Sequence, residues 1–153
     1  MIVAAASLFM VIQNSRLSRE LNRPFILPSY VQKTIPRSAP DEKGNHGIVS
    51  AGIVTFKNSG NSPAYKIDLH AETEQLFLAR PKPFTLAAHD TYDDNPAAWW
   101  AKPGFTPDYN SHIVYNVRGY ITYEDSYGKS YKEPTRFFVQ VGGTGITPNP
   151  FFK

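Results

Sequence analysis

The chain has 153 residues, 41% hydrophobic and 19% charged, a balance that supports one packed domain plus an appendage and excludes global disorder. It has no cysteine, which removes disulfides, thiolate nucleophiles and Cys-ligated zinc. The net charge of +3 comes without a dense Lys/Arg run, so the sequence lacks the clustered basic footprint of a nucleic-acid-binding protein.

Met1 to Ile12 (MIVAAASLFMVI) is uncharged, with Ser7 its one polar residue. It is shorter than the ~20 apolar residues a membrane-spanning helix needs. A secretory signal would show a basic start and a small-residue cleavage site, and neither is clear. Three readings stand: the end of a spanning helix that begins upstream, a short membrane-inserting anchor, or a buried N-terminal helix. Gln13 to Asn22 is polar, contains no Gly or Pro, and places Leu17 and Leu21 on one helical face. A helix over residues 1–22, apolar and then amphipathic, is therefore expected, ending before Arg23-Pro24 because proline disfavours helix in the residue before it. Arg16, Arg19 and Arg23 follow the apolar run. By the positive-inside rule they put the next domain on the cytoplasmic side.

Residues 24–141 read as one all-β domain. Pro24 to Val31 is apolar and broken by Pro28, which suits an edge strand and makes it a candidate protein-binding edge. Gln32 to Gly47 reads as an exposed loop. Ile48 to Lys57 is β-branched and suits a strand buried on both faces. Asn58 to Pro63 is a dense turn signal. Ala64 to Ala71 alternates, with Tyr65, Ile67 and Leu69 on one face and Lys66, Asp68 and His70 on the other. Leu76 to Ala79 and Phe84 to Ala87 are short apolar runs. His89 to Ser111 carries Pro96, Pro103, Gly104 and Pro107, and reads as a self-packed loop or a short helix around 97–101. A hairpin follows, with Ile113, Tyr115, Val117, Ile121 and Tyr123 on one face, a turn at 125–129, and a return over Thr135 to Val141. Residues 142–153 are Gly/Pro-rich and read as a flexible tail. Six or seven short strands between turn signals indicate an antiparallel Ig-like β-sandwich, with a small barrel as the alternative.

Three segments together resemble a class of uncharacterised bacterial membrane-tethered proteins: Arg23-Pro24-Phe25 after a polar helix, Phe56-Lys57-Asn58-Ser59-Gly60-Asn61-Ser62-Pro63-Ala64, and the hairpin from Gly119 through Gly128 to Thr135-Arg136-Phe137. The resemblance implies an Ig-like sandwich beside a bacterial inner membrane, with no known activity.

No pattern for catalysis or cofactor binding is found. There is no Gly-x-Ser-x-Gly elbow and no phosphate loop, and His46, His70, His89 and His112 lack metal-ligand spacing. Asp90, Asp93, Asp94 and Asn95 offer oxygens but not the spacing of a calcium loop, and suit a solvated acidic loop. Trp99 and Trp100, flanked by Asp93 and Asp94, are the candidate binding residues. Either they form an exposed platform for a sugar or a protein partner, or they cap the core. The expectation is a non-enzymatic, membrane-tethered interaction module with an unidentified protein partner, and a carbohydrate-binding module is the alternative.

Overall fold

The computed structural model describes residues 2–36, 47–143 and 145–146. An N-terminal helix, α1 (Ile2–Leu21), precedes eight strands: β1 (Ile26–Thr34), β2 (Ile48–Asn58), β3 (Ala64–Ala71), β4 (Leu76–Leu78), β5 (Phe84–Leu86), β6 (Thr91–Ala101), β7 (Ile113–Glu124) and β8 (Ser130–Val141). They form two four-stranded antiparallel sheets, ordered β1-β2-β6-β4 and β5-β3-β7-β8. The chain changes sheet at every connection from β2 to β7. Each sheet keeps two edge strands, so neither closes into a barrel.

One hydrophobic core joins the two sheets. Trp99 of β6 meets Phe137 of β8 edge to face at 5.9 Å, and Phe56 of β2 meets Phe84 of β5 at 5.0 Å. Such ring contacts combine a large burial with favourable quadrupole geometry. The alternation expected for the long hairpin is present: Val117, Ile121, Tyr123, Phe137, Val139 and Val141 all point into the core.

The turn Asn58 to Pro63 is built around a buried side chain. Asn58 is fully buried. Its Oδ1 accepts from the N–H of Phe25 (3.2 Å) and of Gly60 (3.0 Å). Its Nδ2 donates to the carbonyls of Ser62 (2.8 Å) and Ala87 (3.1 Å). One amide thus pairs backbone groups from three separate segments, which offsets the cost of burying it. Gly60 lies so close to the chain leading into β1 that a Cβ there would sit 2.3 Å from the Arg23 carbonyl oxygen. The Asn-x-Gly spacing of this turn follows from those two requirements.

Four expectations need correction. Residues 91–101 form neither loop nor helix but strand β6, paired with β2 on one side and β4 on the other. Its Pro96 falls where the register with β2 shifts, a bulge in which a missing N–H removes no ladder bond. Tyr65 does not share a face with Ile67: the register of β3 with β7 shifts between Tyr65 and Asp68, where Lys66 has φ 51°, and Tyr65 is exposed. Strand β8 begins at Ser130 rather than Thr135, because Asp125 tightens the turn by accepting from the N–H groups of Tyr127 and Lys129 through Oδ1. Strand β1 runs on to Thr34, into the segment read as loop; residues 37–46 of that segment lie outside the described residues.

The start of the expected tail is held rather than loose. Gln140 donates through Nε2 to the carbonyls of Gly142 (3.0 Å) and Gly145 (2.7 Å), and Gly143 N–H donates to Tyr109 O. Residues 144 and 147–153 lie outside the described residues.

Helix α1 projects from the β body, and every side chain described from residue 4 to residue 21 is exposed. Among the described residues no helix is long and apolar enough to cross a membrane. The base of α1 meets the body at the β7–β8 turn. Glu20 pairs with Lys129 at 2.9 Å, and the Arg19 guanidinium lies 4.7 Å from the Tyr127 ring centre.

Candidate functional site

The four residues singled out from the sequence lie on β6, and the strand separates them. Asp93 and Trp100 are seven residues apart, on the order of 20 Å along an extended chain. Asp93 is exposed and accepts from Thr55 Oγ1 at 2.6 Å across the sheet. Partial burial holds the Asp94 carboxyl above the ordinary carboxylate value. Among the described residues no three His, Asp or Glu side chains gather as metal ligands.

Trp99 has no solvent exposure. It lies between Tyr30 of β1 (6.0 Å, edge on) and Phe137 of β8, and its Nε1–H has no hydrogen-bond partner among the described residues. Of the two readings of the tryptophans, Trp99 takes the core one, since its neighbours fill the space a ligand would need. Trp100, next along the strand, faces the outside. It lies opposite Ile48 on β2 and Phe77 on β4 and is half-buried. The pair therefore presents one indole to solvent, not a platform of two.

The candidate binding edge, Pro24 to Val31, falls on β1 at the edge of its sheet, and β1 is tied to β8 just beyond it. The Gln32 amide reaches across to the main chain of β8, donating from Nε2 to Gln140 O (2.9 Å) and accepting from Gln140 N–H at Oε1 (2.9 Å). One side chain thereby imitates a step of strand pairing between the edges of the two sheets.

A polar cluster that the sequence did not single out lies on the outer face of the second sheet. Asp68 and His70 alternate onto that face of β3. The loop after β4 brings Arg80 beside them, with its Nη1 2.9 Å from His70 Nδ1. A guanidinium only donates, so Nδ1 accepts, and Nε2–H faces Asp68 Oδ2 at 2.9 Å. The imidazole stacks on Tyr120 of β7 at 4.6 Å. Both ring nitrogens are thus engaged. Beside this cluster an open cleft of about 330 Å³ has Phe77, Leu78 and Pro103 among its walls and Glu72 and Lys102, paired at 2.7 Å, at its rim. The Asp68–His70 half of the cluster was visible as an i, i+2 pair on a polar strand face. Arg80 was not, because a loop delivers it.

No protein-family model matches the sequence, and no curated protein is significantly similar to it. Among solved structures, a FixG-related protein from Vibrio parahaemolyticus aligns over 78% of this chain and 97% of its own, at 10% identity and a TM-score of 0.43.

Proposed function

We propose that the protein is a non-enzymatic interaction module, an Ig-like sandwich held at a bilayer by the apolar half of α1. The observation that carries this reading is the exposure of that half. Leu8, Phe9, Met10 and Val11 are each more than 60% exposed, although they occupy successive positions and so cover the full circumference of the helix. A helix that is apolar all round belongs in an apolar environment. Residues 2–12 of this helix rise about 16 Å, about half of a ~30 Å hydrocarbon core. Arg16 and Arg19, one and two turns beyond Ile12, sit where headgroup phosphates would meet them.

The absence of native cysteine makes a single label site available. Phe9→Cys carrying an environment-sensitive nitrobenzoxadiazole dye is expected to shift to the blue when the full chain meets phosphatidylcholine–phosphatidylglycerol vesicles, and the chain is expected to float with them. A dye that stays in water, with the protein left at the bottom of the gradient, would overturn the anchor.

A further inference from the structure

The geometry points to the outer face of the β5-β3-β7-β8 sheet as a docking surface for an extended acidic peptide segment, gripped by Arg118, Arg136 and Lys132. The proposal rests on reading the β body as an interaction module. Arg118 of β7 and Arg136 of β8 are directly paired across the strands. Residues in that relation have Cβ atoms about 5 Å apart, and like charges placed so destabilise a sheet. Both side chains are exposed, and neither has an ion pair or hydrogen bond among the described residues. The acids on the same face are already engaged: Asp68 with His70 and Arg80, and Glu124 with Lys66 at 3.0 Å. Two uncompensated guanidinium forks therefore stand side by side on a long, fully paired hairpin.

Lys132 extends the surface. It lies four residues before Arg136 on the same face of β8, about 13 Å away along the strand. An extended peptide repeats that distance between residues i and i+4, so acidic side chains at that spacing meet Arg136 and Lys132 together. Guanidinium groups suit carboxylates because their planar donors bind both oxygens at once. Tyr120, between the arginine pair and Lys132 on this face, is itself engaged. Its ring is stacked on His70 from β3, and Lys132 Nζ lies 3.9 Å from its centre from the β8 side. With both sides of its ring taken, Tyr120 does not offer the open face on which a nucleobase of a single-stranded nucleic acid stacks.

The test measures fluorescence anisotropy of a labelled octaglutamate peptide with the full chain in a neutral detergent. Binding is expected to weaken as salt is raised toward ~0.15 M, where charges are screened beyond about 8 Å. Arg118→Gln/Arg136→Gln is expected to weaken it about ten-fold, whereas Lys33→Gln/Lys57→Gln, an equal charge change on the other sheet, is expected to change it less than about two-fold. Arg118→Gln alone provides a milder variant, and both arginine variants are expected to melt at or above the wild-type temperature because a repulsion is removed. The proposal is overturned if the peptide does not bind, or if the two double variants lose affinity equally. It is also overturned if the arginine pair governs binding to a dT oligonucleotide or to phosphatidylserine vesicles and not to the peptide. The peptide arm contains no bilayer, so failure of the anchor and failure of this surface give different results.

Discussion

Helix α1 and strand β2 begin with almost the same residues, Ile2-Val3-Ala4-Ala5 and Ile48-Val49-Ser50-Ala51, and end in opposite environments. The first leads a helix exposed on every side; the second leads a strand whose Val49, Val54 and Phe56 have no exposure at all. The difference lies in where each backbone finds its hydrogen bonds. A helix satisfies its interior groups within itself, so α1 forms without drawing its side chains against anything. A strand must borrow partners, and the neighbours β1 and β6 that supply them also carry the inward side chains with them. The alanines, Leu8 and Met10 of α1 favour the self-sufficient form, while Ile53, Val54 and Thr55 favour the borrowed one. Apolar content alone therefore does not bury a segment.

The contrast can be tested by removing side chains from each region. Trp99→Ala should produce the largest loss, about 4 kcal/mol in urea denaturation, since it empties the middle of the core. Trp100→Ala, one residue on and facing outward, should cost about 1 kcal/mol. Equal losses would mean that both indoles are core. Asn58→Ala comes next, at about 3 kcal/mol, because it orphans buried N–H and carbonyl groups at the turn into β3; Gly60→Ala should destabilise the same turn through its clash with Arg23.

A third test concerns pH. Burial pushes the hydroxyls of Tyr30 and Tyr123 up to about 12 from the ordinary value of 10. The folded chain then holds those protons where the unfolded chain releases them. Stability is thus fully present below pH 10 and is lost between about 10 and 12, by on the order of 2 kcal/mol for Tyr30. Absorbance at alkaline pH and unfolding free energies should show both, and Tyr30→Phe should flatten the slope. The smallest expected effect lies in α1. Leu8→Gln/Phe9→Gln should leave unfolding within about 0.5 kcal/mol while abolishing vesicle flotation. A large loss of stability there would mean that α1 packs on the β body after all.

Regular alternation made the long hairpin legible, and β-branching did the same for β2. Strand β6 was hidden because its exposed half reads Thr-Tyr-Asp-Asp-Asn-Pro, which has the composition of a loop; pairing with β2 on one side and β4 on the other overrides that preference. The hidden strand also misplaced the candidate site. Two adjacent tryptophans look like one feature in a loop, but in a strand successive residues point to opposite faces, and Trp99 and Trp100 part company. Tyr65 was misassigned for a similar reason, since a one-residue irregularity at Lys66 reverses the faces beyond it. The Asn58 network could not be read at all, because its acceptors at Ser62 and Ala87 and its donor at Phe25 come from segments that only the fold brings together.

The reach of Gln32 to β8 also affects how these molecules behave when crowded. Of the four sheet edges, β1 and β8 are the long ones, and that side chain stitches them to each other. The remaining two, β4 and β5, offer only three residues each. Fibrils grow when an unpaired strand templates the next chain, and growth needs a run of roughly six residues to hold. Copies confined to one surface collide far more often than copies in dilute solution. Here Gln32 blocks that pairing at one end of β1 and β8, and the short β4 and β5 offer too little length to hold a partner.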